Sequence, residues 1–219
     1  MVDEVAQQTY LHYRQLLDGS WLGEALCWTV FVPHDGSALS LAETGERVSE
    51  AGHYEVYETD TFEHEEVFLD LSDDAPWAML VDRSDRYVAL FEYNGFQGVY
   101  PPVLPRLSAG GRAYSAYWNV NATNSVGFAV DGEMVLSFNA MYAEEATGLP
   151  EWDQWPQVQA VLPYFDWQKG ESWRAAALTA IELATGARLS EEWLSEAPSF
   201  LMGRSNEQAP RLGPAGDVS

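Results

Sequence analysis

The feature that most constrains this chain is the contrast between residues 87–139 and everything around them. That stretch holds three carboxylates (Glu92, Asp131, Glu133) and two arginines (Arg106, Arg112), while the whole chain carries 34 acids against 11 bases, a formal net charge of −23. An apolar, β-patterned centre inside an acidic surround is the main thing the sequence shows, and it marks residues 87–139 as the part the rest of the chain is organised around.

Within the centre, residues 87–93 are a run of β-formers too apolar to alternate, which suits a strand buried on both faces. Asn94-Gly95 and Gln97-Gly98 break it. Pro101-Pro102 can open a short helix, since proline's missing N–H is no loss in a first turn. Leu104 and Leu107 share its apolar side, and Gly110-Gly111 ends it. Residues 112–120 read as a strand with Tyr114, Ala116 and Trp118 on one face and Ser115, Tyr117 and Asn119 on the other. Residues 124–130 and 134–139 form a hairpin around Asp131-Gly132. A bulge at that turn, pairing Val130 with Met134, Phe128 with Leu136 and Val126 with Phe138, puts all the large apolar side chains on one face, so burial favours it over a strict two-residue turn.

Outside the centre, helix signals cover residues 3–17, 37–44 (Ser37 as cap, Gly45 after), 156–162 and 172–185, with Ser190 capping a brief helix at Glu191–Leu194. Residues 26–32, 53–57, 66–71 and 77–81 read as strands, and Arg83-Ser84-Asp85-Arg86 joins 77–81 to 87–93 as a hairpin. The expected architecture is one α+β domain over residues 1–200: a mainly antiparallel sheet with N- and C-terminal helices packed against it. Residues 201–219 are expected to be a disordered tail.

At the centre the sequence resembles an uncharacterised actinobacterial domain family, a domain of unknown function. The likeness rests on Asn94-Gly95-Phe96-Gln97-Gly98, Leu107-Ser108-Ala109-Gly110-Gly111-Arg112, Trp118-Asn119-Val120-Asn121-Ala122 and Ala129-Val130-Asp131-Gly132 with Ser137-Phe138. Weaker likeness at Cys27 to Phe31, Thr185-Gly186, Leu189-Ser190 and Trp193-Leu194 extends it over roughly residues 20–195. The chain departs most in its acidic segment, residues 48–74. The resemblance implies an actinobacterial source and an α+β domain, and it implies no activity.

The chemistry-bearing residues narrow the function. The acidic balance argues against direct binding to nucleic-acid backbone or an anionic membrane, both of which need basic patches. The N-terminus has neither the basic nor the apolar region of a signal peptide, and no apolar run nears a membrane span, so the expected location is cytoplasmic. The four histidines are scattered, with no zinc spacing. An EF-hand counted from Asp70 would need Gly at Ala75 and Glu at Val81. No metal, cofactor or catalytic residue is therefore expected. Cys27 reads as a small buried hydrophobe.

Two constellations remain. Asn119 and Asn121, with Glu92, Asn94, Tyr117, Trp118 and Asn139, could line a shallow hydrogen-bonding site; equally, the asparagines could only shape turns. A buried Glu92 would need a partner such as Arg112. Residues 48–82 carry eleven carboxylates and no Lys or Arg. They are either a solvated face or a surface for electrostatic capture, with Glu55, Glu58, Asp60, Glu63, Glu65 and Glu66 as the contact set. Trp152, Trp155 and Trp167 lie in loop-like sequence. They are expected to pack on the sheet; exposed, they could hold a partner or sugar rings. The leading expectation is a non-enzymatic protein-binding module, immunity- or defence-like, that captures a basic partner. The alternatives are a small-molecule-binding protein or enzyme centred on the strand at Trp118 to Asn121, and a DNA mimic.

Overall fold

A computed structural model describes residues 3–49, 52–58, 75–93, 95–170, 172–196 and 199–203. The chain begins with α1 (Glu4–Leu17), whose Asp3 carboxylate accepts the Val5 N–H at 3.3 Å. Strand β1 (Leu26–Pro33) follows, then α2 (Leu41–Val48) and β2 (Tyr54–Glu58). Strands β3 (Ala78–Arg83) and β4 (Val88–Glu92) form the expected hairpin. Next come a 3-10 turn (Gln97–Val99), α3 (Val103–Leu107), β5 (Gly111–Trp118), β6 (Asn124–Val130) and β7 (Glu133–Phe138). Short helices α4 (Ala143–Ala146) and α5 (Pro156–Ala160) lead to α6 (Ser172–Thr185), α7 (Glu191–Glu196) and β8 (Ser199–Gly203).

Among the described residues the eight strands make one sheet in the order β2-β8-β3-β4-β1-β5-β6-β7. Every pairing is antiparallel. The fold is therefore α+β, with the N-terminal α1 and the C-terminal α6 packed together on the sheet. Tyr13 locks those two helices: its hydroxyl donates to Glu182 at 2.8 Å and accepts the Leu189 N–H at 3.2 Å.

Strand alternation sorts the side chains onto two faces. Trp28, Val30, Phe91, Tyr114, Ala116, Phe128 and Leu136 point to the face covered by α1 and α6. Phe31, Val88, Leu90, Ala113 and Ala129 point to the other, where α2 and α3 cover them. The central strands are thus buried on both sides, as the unbroken apolar run of β4 requires.

The hairpin of β6 and β7 corrects the expected register. Val130 pairs with Glu133 across a strict two-residue turn, with Asp131 and Gly132 both at positive φ (51° and 91°), and Ala129, not Val130, pairs with Met134. The shift comes one step later, between Phe128 and Ala129, and restores the Phe128–Leu136 and Val126–Phe138 pairs. The turn takes its preferred two-residue geometry and the strand absorbs the extra residue, so both local preference and burial are met.

Three other expectations change. Helix α2 starts at Leu41, not Ser37: Ser40 and Glu43 form a reciprocal capping box, the Glu43 N–H reaching Ser40 Oγ at 3.1 Å and the Ser40 N–H reaching Glu43 Oε2 at 2.8 Å. Gly45 lies inside this helix, with the Tyr54 ring against its Cα. Leu201, Met202 and Gly203, placed in the tail, belong to β8, which sits between β2 and β3. The strand expected over residues 66–71 lies outside the described residues.

Candidate functional site

On the face of α2 and α3 the sheet turns polar toward one end. Glu92, Cys27, Tyr117 and Ser125 stand side by side across β4, β1, β5 and β6, and Thr29, Ser115 and Gly127 form the next row. Glu92, Cys27, Thr29 and Ser115 are each at most 1% exposed. The Thr29 and Ser115 hydroxyls hydrogen-bond to each other at 2.6 Å, and Cys27 Sγ lies 3.9 Å from Thr29 Oγ1.

The lid over this row is the loop that follows β4. The Gln97 N–H donates to Glu92 Oε2 at 3.0 Å and the Gly98 N–H to Glu92 Oε1 at 2.8 Å. A Cβ at Gly95 would strike the Glu92 carboxyl, and one at Gly98 would strike the Thr29 hydroxyl. The glycines of the Asn94 to Gly98 stretch are therefore demanded by close approach of backbone to side chain. Arg112, the partner expected for Glu92, cannot serve. It pairs with Val32 and Val130, which puts it on the opposite face of the sheet, where it is exposed.

Burial pushes the Glu92 carboxyl up to about 7 from an ordinary 4.5, although the Gly98 and Gln97 N–H groups and the Cys27 thiol pull the other way. Burial, then the neighbouring Glu92, push the Cys27 thiol well up. The arrangement holds a loop down, and the direction of the Cys27 shift is the opposite of what a nucleophilic thiol needs.

The asparagines are spent on turns. Asn119 Oδ1 accepts the N–H groups of Asn121 (3.0 Å) and Thr123 (3.1 Å), and its amide donates to Tyr117 at 2.8 Å. Asn139 Oδ1 accepts the Met141 N–H at 2.9 Å. Trp118 is buried, its indole N–H donating to the Leu22 carbonyl at 2.8 Å. Glu92, Tyr117 and Asn119 do come together; Asn139 sits at the start of another loop, and Asn94 lies outside the described residues. Of the acidic set, Glu55 accepts the Tyr57 hydroxyl at 2.6 Å and Glu58 closes β2, while Asp60, Glu63, Glu65 and Glu66 lie outside the described residues. Cys27, Thr29 and Ser115 were not among the expected site residues, yet their alternation with Trp28, Val30, Tyr114 and Ala116 marks them as sharing a face with Glu92.

Among the described residues, two of the clefts are open to solvent. One, of about 640 Å³, lies beside the Asn119 turn between Trp21, Glu24, Val120 and Arg174. The other, of about 360 Å³, lies between residues 141–145 and 162–168 and is lined by Tyr142, Glu144, Glu145, Asp166 and Trp167 among others. Of the three loop tryptophans, Trp152 and Trp155 are buried against Phe138 and against Tyr114 and Phe128, as expected, whereas Trp167 is 51% exposed.

The model of one protein family, described as a family of unknown function (DUF6461), matches residues 6–210. The chain belongs to that family. The match spans α1 through β8, so the whole sheet is the family's domain. No curated protein and no solved structure matches the chain. Among the described residues no helix is long and apolar enough to cross a membrane.

Proposed function

We propose that this chain is a cytoplasmic, non-enzymatic binding module that captures a basic protein by long-range attraction, in the manner of an immunity- or defence-type protein. The observation that carries the reading is the net charge of −23 on a chain whose carboxylates, such as Glu133, Glu144, Glu145 and Asp153, stand exposed. A field of that sign steers cations and repels anions. The use of the polar groups at this end of the sheet supports it: the buried Glu92 carboxyl and the half-buried Asn119 amide oxygen are engaged by backbone N–H groups, and the thiol beside Glu92 is held protonated. The motif resemblance supports an actinobacterial source. Pull-down from a native lysate in 20 mM and 300 mM NaCl tests the reading. Capture of a basic protein at low salt, lost at high salt, is expected, because exposed charges are screened beyond about 8 Å at physiological ionic strength. A complex indifferent to salt would overturn it.

A second reading has its own observation. The cleft between Trp21 and Val120 adjoins the end of β5 and the Asn119 turn, and its volume suits a small molecule. Saturable binding of a neutral metabolite that is abolished by Val120→Arg would favour it.

A further inference from the structure

The cleft of about 360 Å³ offers more than charge. Its walls are two short chain segments fixed at their bases. Asn139 caps the first, ahead of Tyr142, Glu144 and Glu145. Asp166 caps the second, accepting the Gln168 N–H at 3.0 Å and the Lys169 ammonium at 2.7 Å. Behind the second, Phe165 is buried against Phe138, and Tyr164 stacks on Tyr10 at 3.9 Å. The walls are thus anchored in the core, while two of the aromatic rings lining them are left in water: Tyr142 is 52% exposed and Trp167 51%. The lining residues include three carboxylates and no lysine or arginine.

An open indole and an open phenol beside carboxylates match one ligand chemistry above others. The faces of aromatic rings are negative and attract cations, most strongly for tryptophan. Carboxylates only accept hydrogen bonds, and a guanidinium only donates them. A neutral sugar needs donors as well, and the lining side chains supply them only through the Gln168 amide, the Tyr142 hydroxyl and the Trp167 indole N–H. A phosphate or carboxylate ligand would meet charge of its own sign.

We propose that this cleft is the seat of a basic side chain, an arginine above all, presented by the protein partner. The inference rests on the basic-partner reading and names the place on this chain where that partner is held. The planar guanidinium lies against Trp167 and Tyr142 and donates to the carboxylates of Glu144 and Glu145. The general field brings the partner in; this cleft fixes its register.

The test uses the full chain labelled with 15N, in which the indole N–H signal of Trp167 is identified by its loss in Trp167→Phe. The probe is a capped tripeptide with arginine between two glycines; its counterpart has glutamine in place of arginine. The arginine probe is expected to shift the Trp167 signal in a saturable way and the glutamine probe to leave it in place. Trp167→Ala and the double variant Glu144→Gln/Glu145→Gln should each weaken the arginine probe about fivefold or more. Trp167→Phe, which keeps a π face, should lose less. A double variant with the same charge change on other exposed positions, Glu46→Gln/Asp85→Asn, should stay within about twofold. Equal loss in both charge variants would show attraction without a seat and overturn the proposal while leaving basic capture standing. A Trp167 signal shifted by maltotriose and not by the arginine probe would make the cleft a sugar site. Absence of binding by both the tripeptide and poly-arginine would overturn the cleft and the basic-partner reading together.

Discussion

Replacing Glu92 by glutamine should change how stability depends on pH. The folded carboxyl titrates near 7 and the unfolded one near 4.5, so folding favours its protonated form. A raised carboxyl contributes fully below 4.5, and that contribution is lost as pH rises through 7. Each pH unit between the two values costs about 1.4 kcal/mol. The full loss is then about 3 kcal/mol, of which about 2.5 kcal/mol falls between pH 5 and pH 8. Glutamine cannot ionise, so the variant lacks this slope. Its amide nitrogen meets one of the two loop N–H donors, but that penalty is the same at every pH. The informative quantity is therefore the difference between wild type and variant, which also cancels the titration of the other acids. Urea unfolding at pH 5, 6, 7 and 8 reads it. Relative to Glu92→Gln, the wild type should lose about 2.5 kcal/mol across that range, or roughly 5–10 °C in melting temperature for a chain of this size. Parallel profiles would refute the reasoning, because they would mean that the carboxyl reaches water or finds a cation.

Gly98→Ala should destabilise the fold by about 1–3 kcal/mol and release the loop, since the new Cβ meets the Thr29 hydroxyl; faster hydrogen exchange at the backbone N–H groups of Gln97 and of the substituted residue checks it. Ser40→Ala should remove the capping box of α2 at a cost of about 1 kcal/mol, read by thermal unfolding. Trp155→Ala, in which a fully buried ring packed against the stacked pair Tyr114 and Phe128 is deleted, should cost about 3–5 kcal/mol in chemical denaturation.

Much of the sheet was legible because burial writes itself into β periodicity. The apolar run at β4 announced a strand covered on both faces, and Tyr114, Ala116 and Trp118 announced one face of β5. The helix cap Ser190 was equally plain, since a side-chain oxygen before a helical stretch has a local purpose. What escaped notice depends on tertiary contacts. Ser199–Gly203 is short, preceded by Pro198 and ended by its own glycine; it becomes a strand because β2 and β3 leave a gap between them that it fills. Ser37 and Ser40 are both good caps, and only Glu43, three residues past Ser40, decides between them. The hairpin was resolved by a bulge inside the strand, which neither turn chemistry nor the face argument locates alone. The polar site divides in the same way. Strand alternation sorts Cys27 and Tyr117 onto one face, but that Glu92 stands beside them follows from the strand order, and the loop N–H groups it accepts from are announced only indirectly, by the close-approach glycines Gly95 and Gly98. The acidic cleft was half visible: Trp167 stood out in the sequence, while Tyr142, Glu144 and Glu145 join it only through the packing of two distant loops.

The most direct test of the basic-partner account is the association rate with the basic protein recovered at low salt, measured by stopped flow across an NaCl series from 20 to 300 mM. The account predicts a rate that falls about tenfold or more over that range, with a much smaller change in the dissociation rate. An association rate that holds constant while the complex remains tight would contradict it.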